Sequence, residues 1–242
     1  MDIRLLEYRG YSYEDITLSA SLDRTRLKGT LTSRDTGIPL DLVFRGDSVE
    51  QEYMFSLYGK LGQADFQRLR LVNEPLTAGT DIELQAAMGK EEAYTLQLRL
   101  DSLRMSDARK NYVLGNLMLD GMSNVNKTEL KVVSGDLKLE FRTDTSVSAF
   151  VNSSGKVAGV IQQQIKDRNV NMELVREDLP PFSLQITGAQ NNAVTRFLKS
   201  RNMGFKQLTA DVVSRKRNGI RVGFIANAPY FGEVRLDSVQ LG

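Results

Sequence analysis

Two short stretches of the chain have the residue types and spacing of reactive sites. Asp35-Thr36-Gly37 matches the Asp-Thr-Gly of aspartic proteases, where two carboxylates share one proton. Those motifs follow an apolar strand and precede a small residue. Here Ser33 and Arg34 come before and Ile38 after. The motif occurs once, so a dyad would need a homodimer, and a hairpin turn explains the same residues. Ser153-Ser154-Gly155-Lys156 fits Ser-x-x-Lys, the nucleophile motif of penicillin-binding enzymes. The partner motifs Ser-Asp-Asn and Lys-Thr-Gly are missing, and residues of a helix's opening turns account for the stretch.

Histidine and cysteine are both absent. That removes the usual general base near neutral pH, the commonest metal ligand, thiolate zinc sites and every Ser-His-Asp or Cys-His arrangement. No Gly-rich phosphate loop or calcium-loop spacing is present. Asn126-Lys127-Thr128 and Asn152-Ser153-Ser154 are formal glycosylation sequons of a kind that chance often produces. The expectation is a protein without catalytic residues, metal or cofactor.

Charge narrows the partners. The net charge is +2, which gives no whole-molecule bias toward nucleic acid. Cations cluster locally at Arg196, Lys199, Arg201, Lys206, Arg215, Lys216, Arg217 and Arg221, against Asp211 alone. This is either a solvated basic face or a patch for anionic headgroups or an acidic protein. No RNA-binding motif accompanies it. No apolar run approaches a membrane span, and no signal-peptide pattern opens the chain. A cysteine-free chain suits an oxidising compartment.

The elements that must carry any function are strands. Apolar and polar residues alternate through most of the chain, and a period of two puts alternate side chains on one face. Short turns between these runs argue for an antiparallel meander covered on one face. Strands are expected near 3–9, 13–22, 25–33, 38–46, 49–58, 64–72, 80–88, 93–101, 112–120, 127–134 and 136–143. The period becomes helical at Thr145, with Asp144 or Thr145 as the cap. Gly155 and Gly159 weaken this helix but would permit close approach to a sheet. A second helix is expected over Met172 to Asp178 and a third over Asn192 to Asn202, with Gly204 just past its end. Between these helices a strand carries Phe182, Leu184 and Ile186. Leu208–Ser214 should pair with Ile220–Ala226 across Asn218-Gly219, and a last strand should end the chain, with strand pattern over Val234 to Leu241. The chain thus reads as strands over 1–143, helices with one strand over 144–204, and strands over 205–242. The pattern runs into both ends, as in a piece of a longer array.

A sheet with one apolar face must cover it or use it. One expectation is a closed sandwich or barrel core, a structural or adhesive β-domain that binds a protein partner. The other is a curved sheet whose inner face stays open and takes up acyl chains. The candidate acyl-binding residues are Ile16, Leu18 and Leu22; Ile38, Leu40, Leu42 and Phe44; Ile82 and Leu84; Leu96 and Leu98; Leu137 and Leu139; and Ile220, Val222 and Phe224.

Two stretches point to a family. Gly115-Asn-Leu-Met-Leu-Asp-Gly121 and Ser134-Gly-Asp-Leu-Lys-Leu-Glu-Phe141 resemble strands of the AsmA-like family, in particular its TamB branch of translocation and assembly module proteins in Gram-negative envelopes. Leu184-Gln-Ile-Thr-Gly188 and Asn191-Asn-Ala-Val-Thr-Arg-Phe-Leu198 resemble the helix-interrupted part of the same array. The resemblance is most specific from about Gly115 to Leu241. It implies an interior segment of a long periplasmic protein tethered to the inner membrane. It also implies a taco-like groove of antiparallel strands that passes phospholipids toward the outer membrane or serves outer-membrane protein assembly. The implied partners are phospholipid acyl chains and, in the full-length context, an outer-membrane assembly barrel protein.

Overall fold

The computed structural model describes residues 2–8, 10–90, 93–108, 110–168, 171, 173, 175, 179–215 and 219–241. Alternating sequence becomes an antiparallel meander. Its strands are β1 (Asp2–Tyr8), β2 (Tyr11–Asp23), β3 (Arg26–Ser33), β4 (Leu40–Val49), β5 (Glu52–Asp65), β6 (Leu76–Met88), β7 (Tyr94–Asp107), β8 (Asn111–Ser123), β9 (Thr128–Ser134), β10 (Leu137–Thr143) and β11 (Phe182–Gly188). Two helices are described, α1 (Val147–Asp167) after β10 and α2 (Ala193–Ser200) after β11. Then come β12 (Met203–Gly204), β13 (Gln207–Arg215), β14 (Gly219–Asn227), β15 (Tyr230–Phe231), β16 (Val234–Arg235) and β17 (Ser238–Leu241).

The main sheet has 14 strands in the order β1 to β11, β13, β14, β17. Among the described residues β1 and β17 each have one neighbour, so the sheet is open. The closed barrel or sandwich is not what forms. Strands β12, β15 and β16 make a separate small sheet. Turns alternate between two ends of the main sheet. The β3–β4, β5–β6, β7–β8 and β9–β10 connections share one end with α2, and the β8–β9 turn shares the other with the start of α1.

Bulges gather at the α2 end. Register shifts lie between Leu61 and Ala64, between Gly79 and Asp81, and between Leu100 and Leu103. At Ser102 the backbone is left-handed, with φ 54°. The apolar positions of β7 are even-numbered at Leu98 and Leu100, then odd at Leu103 and Met105. The bulge absorbs the extra residue and keeps both pairs on one face. Met105, Leu114 and Ala193 form a buried cluster there, with Leu76, Leu103, Tyr112 and Phe197 packed around it. This is how α2 docks on β8.

Several expectations are corrected. The strand expected over 64–72 does not form: only Ala64 and Asp65 are in a strand, as the end of β5. Strand β5 stops at Asp65, whose carboxylate accepts from the Arg68 amide while its carbonyl accepts from Leu69. That local capping turns the chain and buries Leu69. Helix α1 is capped by Ser146, not Asp144 or Thr145, through Ala149 N–H to Ser146 Oγ at 3.2 Å. After α2 the left-handed residue is Asn202, with φ 55°, and Gly204 lies in β12 instead. The terminal strand pattern splits, Val234–Arg235 joining the small sheet and Ser238–Leu241 the large one. The helix expected over Met172 to Asp178 and the turn residue Asn218 fall largely or wholly outside the described residues. The pairing around that turn has the expected register, Leu208 opposite Ala226 and Ser214 opposite Ile220.

Candidate functional site

Residues opposite each other in an antiparallel ladder share a face, so the register shows which apolar residues form one surface. One row passes through Ala20, Gly29, Phe44, Leu57, Leu84, Leu98, Leu119, Val132, Leu139, Ile186, Ala210, Phe224 and Leu241. It runs from β2 to β17 without a polar side chain. At about 4.8 Å per strand, twelve steps make a strip about 58 Å long. A parallel row passes through Leu22, Leu27, Gly46, Phe55, Ala86, Leu96, Gly121, Leu130, Phe141, Leu184, Val212 and Val222. On its other flank Leu18, Leu31, Leu42, Gly59, Ile82, Leu100 and Leu117 form a third row over β2 to β8.

The reverse face carries one polar row, beside a mixed row that includes exposed Val43, Tyr58 and Met118. Ser21, Lys28, Arg45, Ser56, Gln85, Gln97, Asp120, Lys131, Glu140, Gln185 and Asp211 form a row opposite one another. Ion pairs on this face, such as Arg142 with Glu140 at 3.1 Å and Arg221 with Asp211 at 3.7 Å, are solvent-exposed and add little stability.

The central apolar row is not sealed. Leu57, Leu84, Leu98, Leu119, Val132, Leu139 and Ile186 are all half-buried, and Leu96 beside them is exposed. The fully buried apolar clusters lie elsewhere, under α2 and between α1 and Val175 and Leu179.

The sequence-derived candidates distribute as follows. Phe44, Leu84, Leu98, Leu139 and Phe224 lie in the central row. Leu22, Leu96 and Val222 lie in the row toward α1, and Leu18, Leu42 and Ile82 in the row toward α2. Ile16 and Leu40 share a further row through Ser33 at the α2 end. Ile220 sits opposite Ser214 at the α1 end. Leu137 is buried beside Gly188, and Ile38 precedes β4 in the loop closed by Asp35. Sequence reading missed Leu57, Leu119, Val132, Ile186 and Ala210. Their alternation was visible, but only the register places them in the same row.

The motif residues have structural surroundings. Asp35 is buried, and its carboxylate accepts from the Tyr11 hydroxyl and from the amides of Glu14 at 2.8 Å and Gly37 at 2.6 Å. Burial raises its pKa, but these hydrogen bonds outweigh burial and hold the carboxyl below its ordinary value. Asp136 behaves alike, accepting from Asn192 Nδ2 at 2.7 Å and from the amides of Asn191 and Ala189. Ser153 and Lys156 lie on α1, Lys156 exposed. Lys216 and Arg217 lie outside the described residues, and among those described the basic stretch is dispersed. Arg196 donates to Val113 O, Arg201 pairs with Glu74 at 2.8 Å, and Arg221 faces Asp211 on the polar face. Among the described residues no group of three or more metal-ligating side chains comes together, and no helix is long and apolar enough to cross a membrane.

No family model, no curated protein and no solved structure matches the chain.

Proposed function

We propose that this chain is a non-enzymatic segment of a hydrophobic groove that carries phospholipid acyl chains. The observation that carries the reading is the unsealed apolar strip from β2 to β17, backed by a polar row on the reverse face. Its mechanism is burial. Each methylene that leaves water along the strip contributes about 0.8 kcal/mol, without directional bonds that would hold the lipid at one point. Such a surface suits passage better than storage. Curvature about the strip, aided by the bulges of β5 to β8, would give the taco-like cross-section. The sequence resemblance to AsmA-like proteins supports the same role: a periplasmic segment, tethered to the inner membrane in the full-length protein, that moves phospholipid toward the outer membrane or assists outer-membrane protein assembly.

Leu98→Asp places a charge mid-strip, while Gln97→Asp places one on the reverse face. The reading expects Leu98→Asp to abolish co-purification of phospholipid and Gln97→Asp to leave it intact. Thermal melting accompanies both. A half-open site should cost Leu98→Asp about 1–3 kcal/mol, whereas a sealed core would cost more than about 4 kcal/mol and unfold the domain. Unchanged lipid content in a folded Leu98→Asp protein would refute the groove.

A further inference from the structure

Where α1 leaves the sheet, its opening turns overhang the ends of β7 to β10. Between them lies a cleft of about 500 Å³. Its principal walls are Leu96, Leu130 and Phe141 from the sheet and Val147, Phe150 and Val151 from the helix. Phe150 fixes the roof, its ring edge-on to Phe141 at 4.9 Å and to Phe182 at 5.7 Å. Leu96, Leu130 and Phe141 belong to one apolar row, so the cleft is a side pocket of the strip itself.

Resting on the groove reading above, we propose that this cleft is a discrete subsite that holds the end of a single acyl chain. Its size falls within the range of small-ligand pockets, about 300–1,000 Å³. Its chemistry selects against polar ligands. Ser123 and Thr128, opposite each other on β8 and β9, bond to one another at 2.8 Å. Ser123 Oγ also accepts from Val147 N–H, and Thr128 Oγ1 is 2.9 Å from the Thr145 carbonyl. Both hydroxyl protons are thus committed to the contacts that seat the helix. At the rim, Glu129 is paired with Lys127 at 3.7 Å. Other clefts differ: one of about 270 Å³ is lined by Glu83, Arg99 and Asp120 and one of about 380 Å³ by Glu74, Asp107 and Arg201, while one of about 480 Å³ mixes Arg45 and Asp47 with Met54, Phe55 and Tyr58. Among these clefts of the described residues, that under α1 has the most nearly apolar walls, which match an alkyl chain. Val151, which lines the cleft, is 60% exposed, so the cleft opens to the surface beside it while Phe150 stays packed. The subsite would hold one tail of a lipid while the rest stays on the open rows.

The test is photocrosslinking of the whole chain with two probes, stearic acid carrying a terminal diazirine and phosphatidylethanolamine carrying the same diazirine acyl tail in vesicles. Adducts are mapped by mass spectrometry. The proposal expects adducts concentrated on Leu96, Leu130, Phe141 and Val151. It also expects Val151→Asp to reduce them at least about tenfold while adducts near Leu57 and Leu84 persist. Labelling by both probes means the tail alone is recognised, and labelling by the phospholipid alone means that the tail enters with its headgroup attached. Adducts spread evenly from Phe44 to Phe224 would overturn the subsite and leave the groove standing. Absence of adducts on the whole apolar face would overturn both.

Discussion

Asp35 and Asp136 show how single residues set the loops of this sheet. Each is a short carboxylate at the α2 end, Asp35 buried and Asp136 exposed, and each receives backbone and side-chain donors. Both carboxyls lie below their ordinary range because those bonds outweigh burial. Such groups stabilise the fold fully above about pH 4, where the unfolded aspartate is ionised, and lose that contribution as pH falls through the lower folded value. Asp35→Asn should therefore cost about 2 kcal/mol at pH 7 and flatten the loss of stability below pH 4. Urea unfolding from pH 7 to pH 2 measures both, and a variant with an acid limb as steep as the parent's would contradict the account. Asp35 was legible as a turn residue. Its bond to the Tyr11 hydroxyl, a full strand away, was not, because only the folded register brings Tyr11 to the loop.

At the scale of elements, alternation located the strands and periodicity located α1 and α2, since both patterns report which face is buried. What it could not locate was where local hydrogen bonding overrides the pattern. Asp65 ends β5 by capping a turn, although Leu69 and Leu71 keep the alternate spacing of a strand. Ser146 outcompetes its polar neighbours as cap because the Ser123 hydroxyl meets the next amide, Val147. Helix α2 depends on Asn192, which accepts from Thr195 N–H at 2.8 Å and donates to Asp136. Asn192→Ala should cost about 1–2 kcal/mol and loosen α2 from β8, which hydrogen exchange over 193–200 would detect. The glycines of α1 were expected to admit a sheet, but a Cβ at Gly155 or Gly159 would meet nothing within 4 Å. Gly155→Ala and Gly159→Ala should each stabilise the helix by up to about 1 kcal/mol, seen as slower exchange of α1 amides. Slower global unfolding without that local effect would contradict this.

At the scale of the whole molecule the sequence showed one-faced strands, and the fold decides what that face becomes. Nearest-neighbour order from β1 onward brings apolar residues from distant segments into continuous rows, and the open edges leave those rows unsealed. Composition could not choose between a closed core and an open strip, because both need the same alternation. The most direct test uses the absence of native cysteine, which makes every introduced cysteine unique. Nitroxides placed singly at Leu57, Leu98 and Ile186 on the strip, and at Ser56, Gln97 and Gln185 on the reverse face, are measured with and without phospholipid. The account expects added lipid to immobilise the strip labels and shield them from a polar relaxation agent, while the reverse-face labels stay unchanged. Equal responses on both faces, or none on the strip, would contradict it.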